Sequence, residues 1–218
     1  MSRRDSHVIV LVDSPARPLP MPPGLGLSSE VVRLPVDDWG DLLTPWAAPP
    51  LFQGEAPFGG RAEETLRRVE GVVPAGARAA VCGYSLGGLF ALWALVSSPR
   101  LSAAASLSGS LWYPGWVPWL QGHGRDLSGC AALLSLGTKE ARGPRPVMRT
   151  VATATDDTVR LLRGLGARTG FKGFPGGHAH AMGERLAWGL RGLDGFLTGH
   201  GGDGVVSGTD GDGNAPSS

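Results

Sequence analysis

Gly83-Tyr84-Ser85-Leu86-Gly87 sets one hydroxyl between two glycines, and Glu140, His178 and His180 follow further along the chain. A serine hydroxyl is a weak nucleophile until a base takes its proton, and the base works best when an acid orients it. These residue types together allow acyl transfer through a covalent acyl-enzyme. A Gly-x-Ser-x-Gly match alone arises often by chance, the more so with 35 glycines among 218 residues, so its context decides its meaning.

That context is specific. The small apolar residues Ala79 to Cys82 run into the motif, and an Ala/Leu-rich run to Leu95 follows it. The order reads as a buried strand, a very tight turn and a buried helix, the arrangement called a nucleophile elbow. The turn strains the Ser85 backbone and presents its hydroxyl at the rim of a sheet; glycine is expected at 83 and 87 because strand and helix backbones pass close there. The first helical N–H, on Leu86, is one donor to the oxyanion. The second is expected just after the neighbouring strand. Pro15 has no N–H, so Ser14 or a residue of the Asp37-to-Trp39 loop must supply it.

In such elbows the acid and then the base follow the serine along the chain. Between Ser85 and Gly177 the carboxylates are Asp126, Glu140, Asp156 and Asp157. Asp156 and Asp157 fall inside a predicted helix, where Asp156 can pair with Arg160 on a solvated face. Asp126 precedes a strand, at the wrong end of the sheet. Glu140 follows a strand by three residues, on the elbow's edge, and is the preferred acid; the alternatives are a surface Lys139/Glu140 pair or a Ser/His dyad without an acid. His178 and His180 follow the last strand, and Gly176-Gly177 allow a sharp turn that favours His178 as base. His7 and His123 lie in poorly placed segments and His200 in the tail.

These side chains need a sheet to hold them. Strands are expected at Val8–Val12, at Glu30–Val36 (nearer an edge, because Pro35 interrupts it), at 79–82, at Leu101–Leu107, at Cys130–Gly137 and at Thr169–Pro175. Helices are expected over Arg61–Val69, after the elbow to Ser98, over Pro146–Leu165 and over Met182–Leu197. The alternation makes an α/β domain with a mostly parallel sheet of about six strands and helices on both faces. Residues 1–198 read as one such domain, with 199–218 a flexible Gly/Ser/Asp-rich tail. Trp39, Tyr84, Trp112, Tyr113 and Trp116 are the expected substrate pocket; the alternative for the aromatics of the 37–60 and 111–119 loops, Phe52 and Phe58 included, is a plug over the core.

Several segments together resemble one family. Gly83-Tyr84-Ser85-Leu86-Gly87-Gly88-Leu89-Phe90-Ala91-Leu92, Ser108-Gly109-Ser110-Leu111-Trp112, Ser135-Leu136-Gly137-Thr138-Lys139-Glu140 and Pro175-Gly176-Gly177-His178 are similar to the esterase family that includes esterase D and the enterochelin-type siderophore esterases. Asp38-Trp39-Gly40-Asp41-Leu42 to Pro45-Trp46 looks like a loop of its small bacterial members. The resemblance implies an α/β-hydrolase fold and carboxylic-ester hydrolysis with no metal or organic cofactor; the six strands expected here are few for that fold, with its N-terminal strands reduced. By position it implies Ser85 as nucleophile, His178 as base and Glu140 as acid. The family's Asp-Gly turn after the first strand is replaced here by Asp13-Ser14-Pro15.

The leading expectation is therefore a serine esterase acting on a small-molecule ester. The alternatives are an acyltransferase using the same nucleophile and a catalytically silent binding module. A net charge of +1 with no basic run argues against nucleic acid as a partner. Only Val8–Val12 forms an apolar run near the start, too short for a signal-peptide core, and no stretch reaches membrane-spanning length, so a cytoplasmic location is expected. Cys82 and Cys130 sit in predicted core strands and read as inert thiols. Oligomeric state is left open by the sequence.

Overall fold

A computed structural model of the chain describes residues 6–142 and 146–200. In chain order the elements are β1 (His7–Asp13), β2 (Glu30–Pro35), α1 (Trp39–Leu42), β3 (Ala47–Ala48), β4 (Phe58–Gly59), α2 (Ala62–Val72), β5 (Arg78–Tyr84), α3 (Leu86–Ser97), β6 (Leu101–Leu107), α4 (Trp116–His123), β7 (Ala131–Gly137), α5 (Pro146–Arg149), α6 (Val151–Gly164), β8 (Arg168–Phe174) and α7 (Met182–Thr198). Six of the strands form one sheet in the order β2-β1-β5-β6-β7-β8, every pair parallel. β2 is at an edge, as its proline requires. Among the described residues no strand precedes β1 and no strand of this sheet runs antiparallel.

The central strands β1, β5, β6 and β7 are mostly apolar because both their faces are covered, while the edge strands β2 and β8 carry exposed charged residues. In β1, Val8, Val10 and Val12 point into the larger core, with the buried side chains of α2, α3 and α6, while Ile9 and Leu11 point into the other, with Leu186, Leu190, Leu193 and Leu197 of α7. β6 and β7 alternate in the same way, with Ala104 and Leu134 on one side and Ala105 and Leu133 on the other. α3 is buried almost all round, which explains its unbroken apolar sequence. The segment after β1 completes the α7 layer with Leu19, Met21, Leu25 and Leu27. Asp194 of α7 ties it down by accepting from the Ser28 and Ser29 N–H groups, the latter at 2.7 Å.

Three local departures have local causes. The 37–60 stretch is not wholly irregular: Asp38 caps α1 by accepting from Asp41 N–H at 2.9 Å, and β3 and β4 form a two-residue ladder. The single helix expected over 146–165 breaks at Thr150, whose hydroxyl donates to Val147 O at 2.7 Å. Arg160 pairs with Asp157, not with Asp156.

The sheet order is what builds the site. β5, β6, β7 and β8 are consecutive neighbours, so the loops leaving their C-terminal ends stand side by side. Those loops carry Ser85, Ser108–Ser110, Glu140 and His178, in that order. Residues 201–218, most of the expected tail, lie outside the described residues. No described helix is long and apolar enough to cross a membrane.

Candidate active site

Ser85 occupies φ 56°, ψ −122°, a region that non-glycine residues rarely enter. Holding a residue there costs about 1–3 kcal/mol, so its surroundings must over-determine it. They do: Ser85 N–H donates to Leu107 O at 3.0 Å, and Ser85 O accepts from Ser110 N–H and Gly88 N–H, both at 2.9 Å. Glycine is required at 83, where a Cβ would collide with the backbone of Gly87, its Cα at 2.9 Å among the contacts. At 87 the expectation of crowding fails, because a Cβ there would meet only Trp39 and Val12 at ordinary contact distance, 3.8 Å or more. The second crowded glycine is Gly88, whose Cβ would lie 2.9 Å from Gly109 Cα. Leu86 N–H, at the start of α3, donates to no acceptor among the described residues.

Glu140 sits in the short turn after β7 with its side chain only 5% exposed. Oε1 accepts from Gly137 N–H at 2.6 Å, Ser108 Oγ at 2.9 Å and Arg185 Nη1 at 2.7 Å, while Oε2 accepts from His178 Nδ1 at 2.8 Å. Burial alone would push this carboxyl up. The hydrogen bonds from His178, Gly137 and Ser108 outweigh it and hold Glu140 below the usual glutamate value, so it stays ionised through the neutral range. The Nδ1–H of His178 is thereby committed to the acid, which leaves Nε2 as the basic nitrogen of the neutral ring.

The His178 side chain is half-exposed, at 51%. Tyr84 OH donates to the His178 carbonyl and fixes the loop from below, its ring edge-on to the imidazole with centroids 5.5 Å apart. Burial raises the Tyr84 phenol, keeping it protonated and able to donate. His180 is not on the acid: its ring packs where a Gly176 Cβ would stand, at φ 88°. Ser85 and His178 line one cleft of about 440 Å³. Among the described residues the Ser85 hydroxyl meets Ser110 Oγ at 3.3 Å and makes no hydrogen bond to His178. In ligand-free sites such contacts commonly tighten only when substrate arrives.

No protein-family model matches the sequence, and no curated protein matches it either. Solved structures do. The enterobactin esterase of Shigella flexneri is similar over 90% of this chain at 22% identity and a TM-score of 0.64, and the match takes in 54% of that protein. A variant of Arabidopsis thaliana SOBER1 is similar over 88% of this chain and 98% of its own, at 18% identity and a TM-score of 0.54. Zea mays acyl-protein thioesterase 2 is similar over 88% and 94%, at 15% identity and a TM-score of 0.51. The chain has the α/β-hydrolase fold. It spans about half the length of the enterobactin esterase it matches.

Within this hydrolase fold, two sequence expectations need correction. Ser14 N–H does not point at the nucleophile: it donates to the carboxylate of Asp13 at 2.9 Å. That carboxylate also accepts from Leu19 N–H at 2.8 Å and pairs with Arg33, so the turn after β1 closes on itself. Of the five expected pocket aromatics, only Trp112 lines the cleft. Tyr84, Tyr113 and Trp116 are buried, and the polar atom of each finds a partner that fixes it in the core, such as Thr158 Oγ1 at 2.9 Å for Trp116 Nε1. Trp39 is anchored through Nε1 to Val36 O at 3.0 Å and packs over Gly87.

The cleft walls come instead from Leu51, Phe52 and Phe58 of the long loop and from Met148 and Val151 of α5 and α6. For Phe52 and Phe58 the cleft lining favours the pocket alternative over the plug. Arg185 was missed altogether. It is fully buried on α7, in the stripe shared by Gly189 and Gly192, and a cation followed at i+4 and i+7 by glycines on a packed helix face was the available signal.

Proposed function

We propose that this protein is a serine esterase that hydrolyses small carboxylic esters through an acyl-enzyme on Ser85. The observation that carries the reading is the pairing of a strained, elbow-borne Ser85 with a Glu140–His178 couple on the adjoining loops of one cleft. Esterases and a thioesterase among the structural neighbours support it. His178 Nε2 removes the Ser85 proton as Oγ attacks the ester carbonyl, Glu140 steadies the imidazolium, and His178 then protonates the departing alcohol. Water, deprotonated by the same imidazole, releases the acid. The half-exposed His178 leaves water ready access, which favours hydrolysis over transfer to another alcohol. The largely apolar wall of Leu51, Phe52, Phe58, Trp112, Met148 and Val151 suits an ester with an aliphatic or aromatic part.

A fluorophosphonate probe tests the nucleophile. Wild type is expected to become labelled at Ser85 and Ser85→Ala to stay unlabelled, with turnover across an ester chain-length panel by wild type alone. Equal labelling of both proteins, or an inert wild type, would overturn the reading and favour a silent binding module.

Leu86 N–H is one oxyanion donor. With Ser14 turned onto Asp13, the second falls to the Ser110 hydroxyl, 3.3 Å from Ser85 Oγ and held by its own N–H bond to Ser85 O. Losing one such donor costs about 10²–10³ in kcat when it is a fixed amide. For a rotatable hydroxyl, Ser110→Ala is expected to lower kcat by about ten- to a hundredfold with KM little changed. Steady-state kinetics on the best panel ester checks this; an unchanged kcat would remove Ser110 from the mechanism.

A further inference from the structure

Beneath the Glu140–His178 couple lies a cation that the proposed chemistry does not consume. The Arg185 side chain is 0% exposed. Its Nη1 shares two hydrogens among Glu140 Oε1 at 2.7 Å, Tyr84 OH at 3.1 Å and Ser108 Oγ, and its Nη2 donates to Gly177 O at 3.0 Å. Nε is buried without a partner, so the guanidinium is held by one edge and not satisfied all round. One face of the group rests on the Phe174 ring, 5.6 Å from its centroid. Room for it depends on Gly137, where a Cβ would come within 2.7 Å of Nη2 and 2.8 Å of Glu140 Oε1.

We propose that Arg185 is the positioning residue of this site, registering the acid and the base-bearing loop against each other from a single buried point. The proposal rests on reading Glu140 and His178 as acid and base. A guanidinium donates and never accepts. Each hydroxyl it meets must therefore take its hydrogen bond and pass its own proton onward. Ser108 is left to donate to Glu140 Oε1, and Tyr84 is left to donate to the His178 carbonyl. Arg185 thereby sets the direction in which both hydroxyls donate. Oε1 of the acid is fully occupied from behind, and only Oε2 remains for the imidazole.

The base is held by the same hand. Gly177 O is bound directly and His178 O through Tyr84, so two successive carbonyls of the loop are tied to the group that fixes the carboxylate. The half-exposed ring itself is held by its bond to Glu140 and the edge of Tyr84, so its placement depends on where the loop backbone is fixed. Lysine cannot replace this arrangement in full, because a point charge lacks the planar fork that reaches a carboxylate and a carbonyl together.

The test uses Arg185→Met, Arg185→Lys, Glu140→Gln and the double variant Arg185→Met/Glu140→Gln, each checked for folding by thermal unfolding. Arg185→Met is expected to lower kcat by about ten- to a hundredfold with KM within about twofold, the scale of a small misplacement of reacting groups. Arg185→Lys should recover part of the loss. Because Arg185 acts partly through Glu140 and partly on the loop of His178, the two losses should overlap: the double variant should be faster than the product of the single effects by at least about threefold. The double variant also leaves no lone charge in the core, so it keeps the test open where Arg185→Met fails to fold. Losses that multiply in full in the double variant, or Arg185→Met with wild-type kcat, would overturn the proposal while the esterase reading stands. A wild type that turns over no ester would overturn that reading instead.

Discussion

His178→Ala is expected to lower kcat for ester hydrolysis by about 10⁴–10⁶-fold while KM moves only a few-fold, as happens when one member of a serine–histidine pair is removed. The imidazole sits on the rim of the cleft and not in its apolar wall, so substrate binding loses little. What is lost is the transfer of the Ser85 proton, an interaction made only on the way to the transition state. In the proposed mechanism Ser85 and His178 act as a unit, so Ser85→Ala/His178→Ala should be no slower than either single change. His180→Ala supplies the control. Its ring packs against Gly176, away from Glu140, and kcat is expected to stay within about threefold of wild type. Active-site-titrated kinetics would decide it, and a deep loss on removing His180 with a mild one on removing His178 would move the base to position 180.

The residues of the couple were legible because their signals are local. Gly83 to Gly88 declare a strand–turn–helix by composition, and Glu140 and His178 each follow an apolar run whose strand character is plain. Once the sheet is parallel and β5 to β8 are neighbours, residues just past each strand must converge. The Ser14 N–H has a partner that its place after β1 does not reveal, because the adjacent Asp13 carboxylate accepts it at 2.9 Å.

The aromatics show a different limit. Trp112, Tyr113 and Trp116 are near neighbours in sequence, yet one faces the cleft and the other two are buried, Tyr113 donating to Trp46 O and Trp116, past the turn at Gly115 (φ 80°) into α4, to Thr158 Oγ1. Loop composition tells how much apolar surface must be covered, not which ring does the covering. Arg185 is the converse case. Helical periodicity assigns an arginine to solvent by default, and its burial is decided by partners 45 and 101 positions away in the chain.

The glycines of the elbow carry the other large effect. Gly83→Ala is expected to destabilise the fold by about 3 kcal/mol or more, at or above the upper end of the usual overpacking cost. The added methyl would meet backbone atoms of Gly87, and backbone in the first turn of a fully packed helix cannot swing aside as a flexible side chain would. In a chain of this size that loss corresponds to a fall in Tm of roughly 6–12 °C. Gly87→Ala, with contacts no nearer than 3.8 Å, is expected to fold normally although it belongs to the same motif. Gly71→Ala, where nothing lies within 4 Å on α2, should shift Tm slightly upward, by the few tenths to one kcal/mol that a compatible glycine-to-alanine change contributes. Calorimetry on the three variants separates a steric requirement from a sequence habit. If Gly83→Ala melts with wild type, strand and helix do not cross where Ser85 needs them to, and the strained serine has lost the frame that holds it.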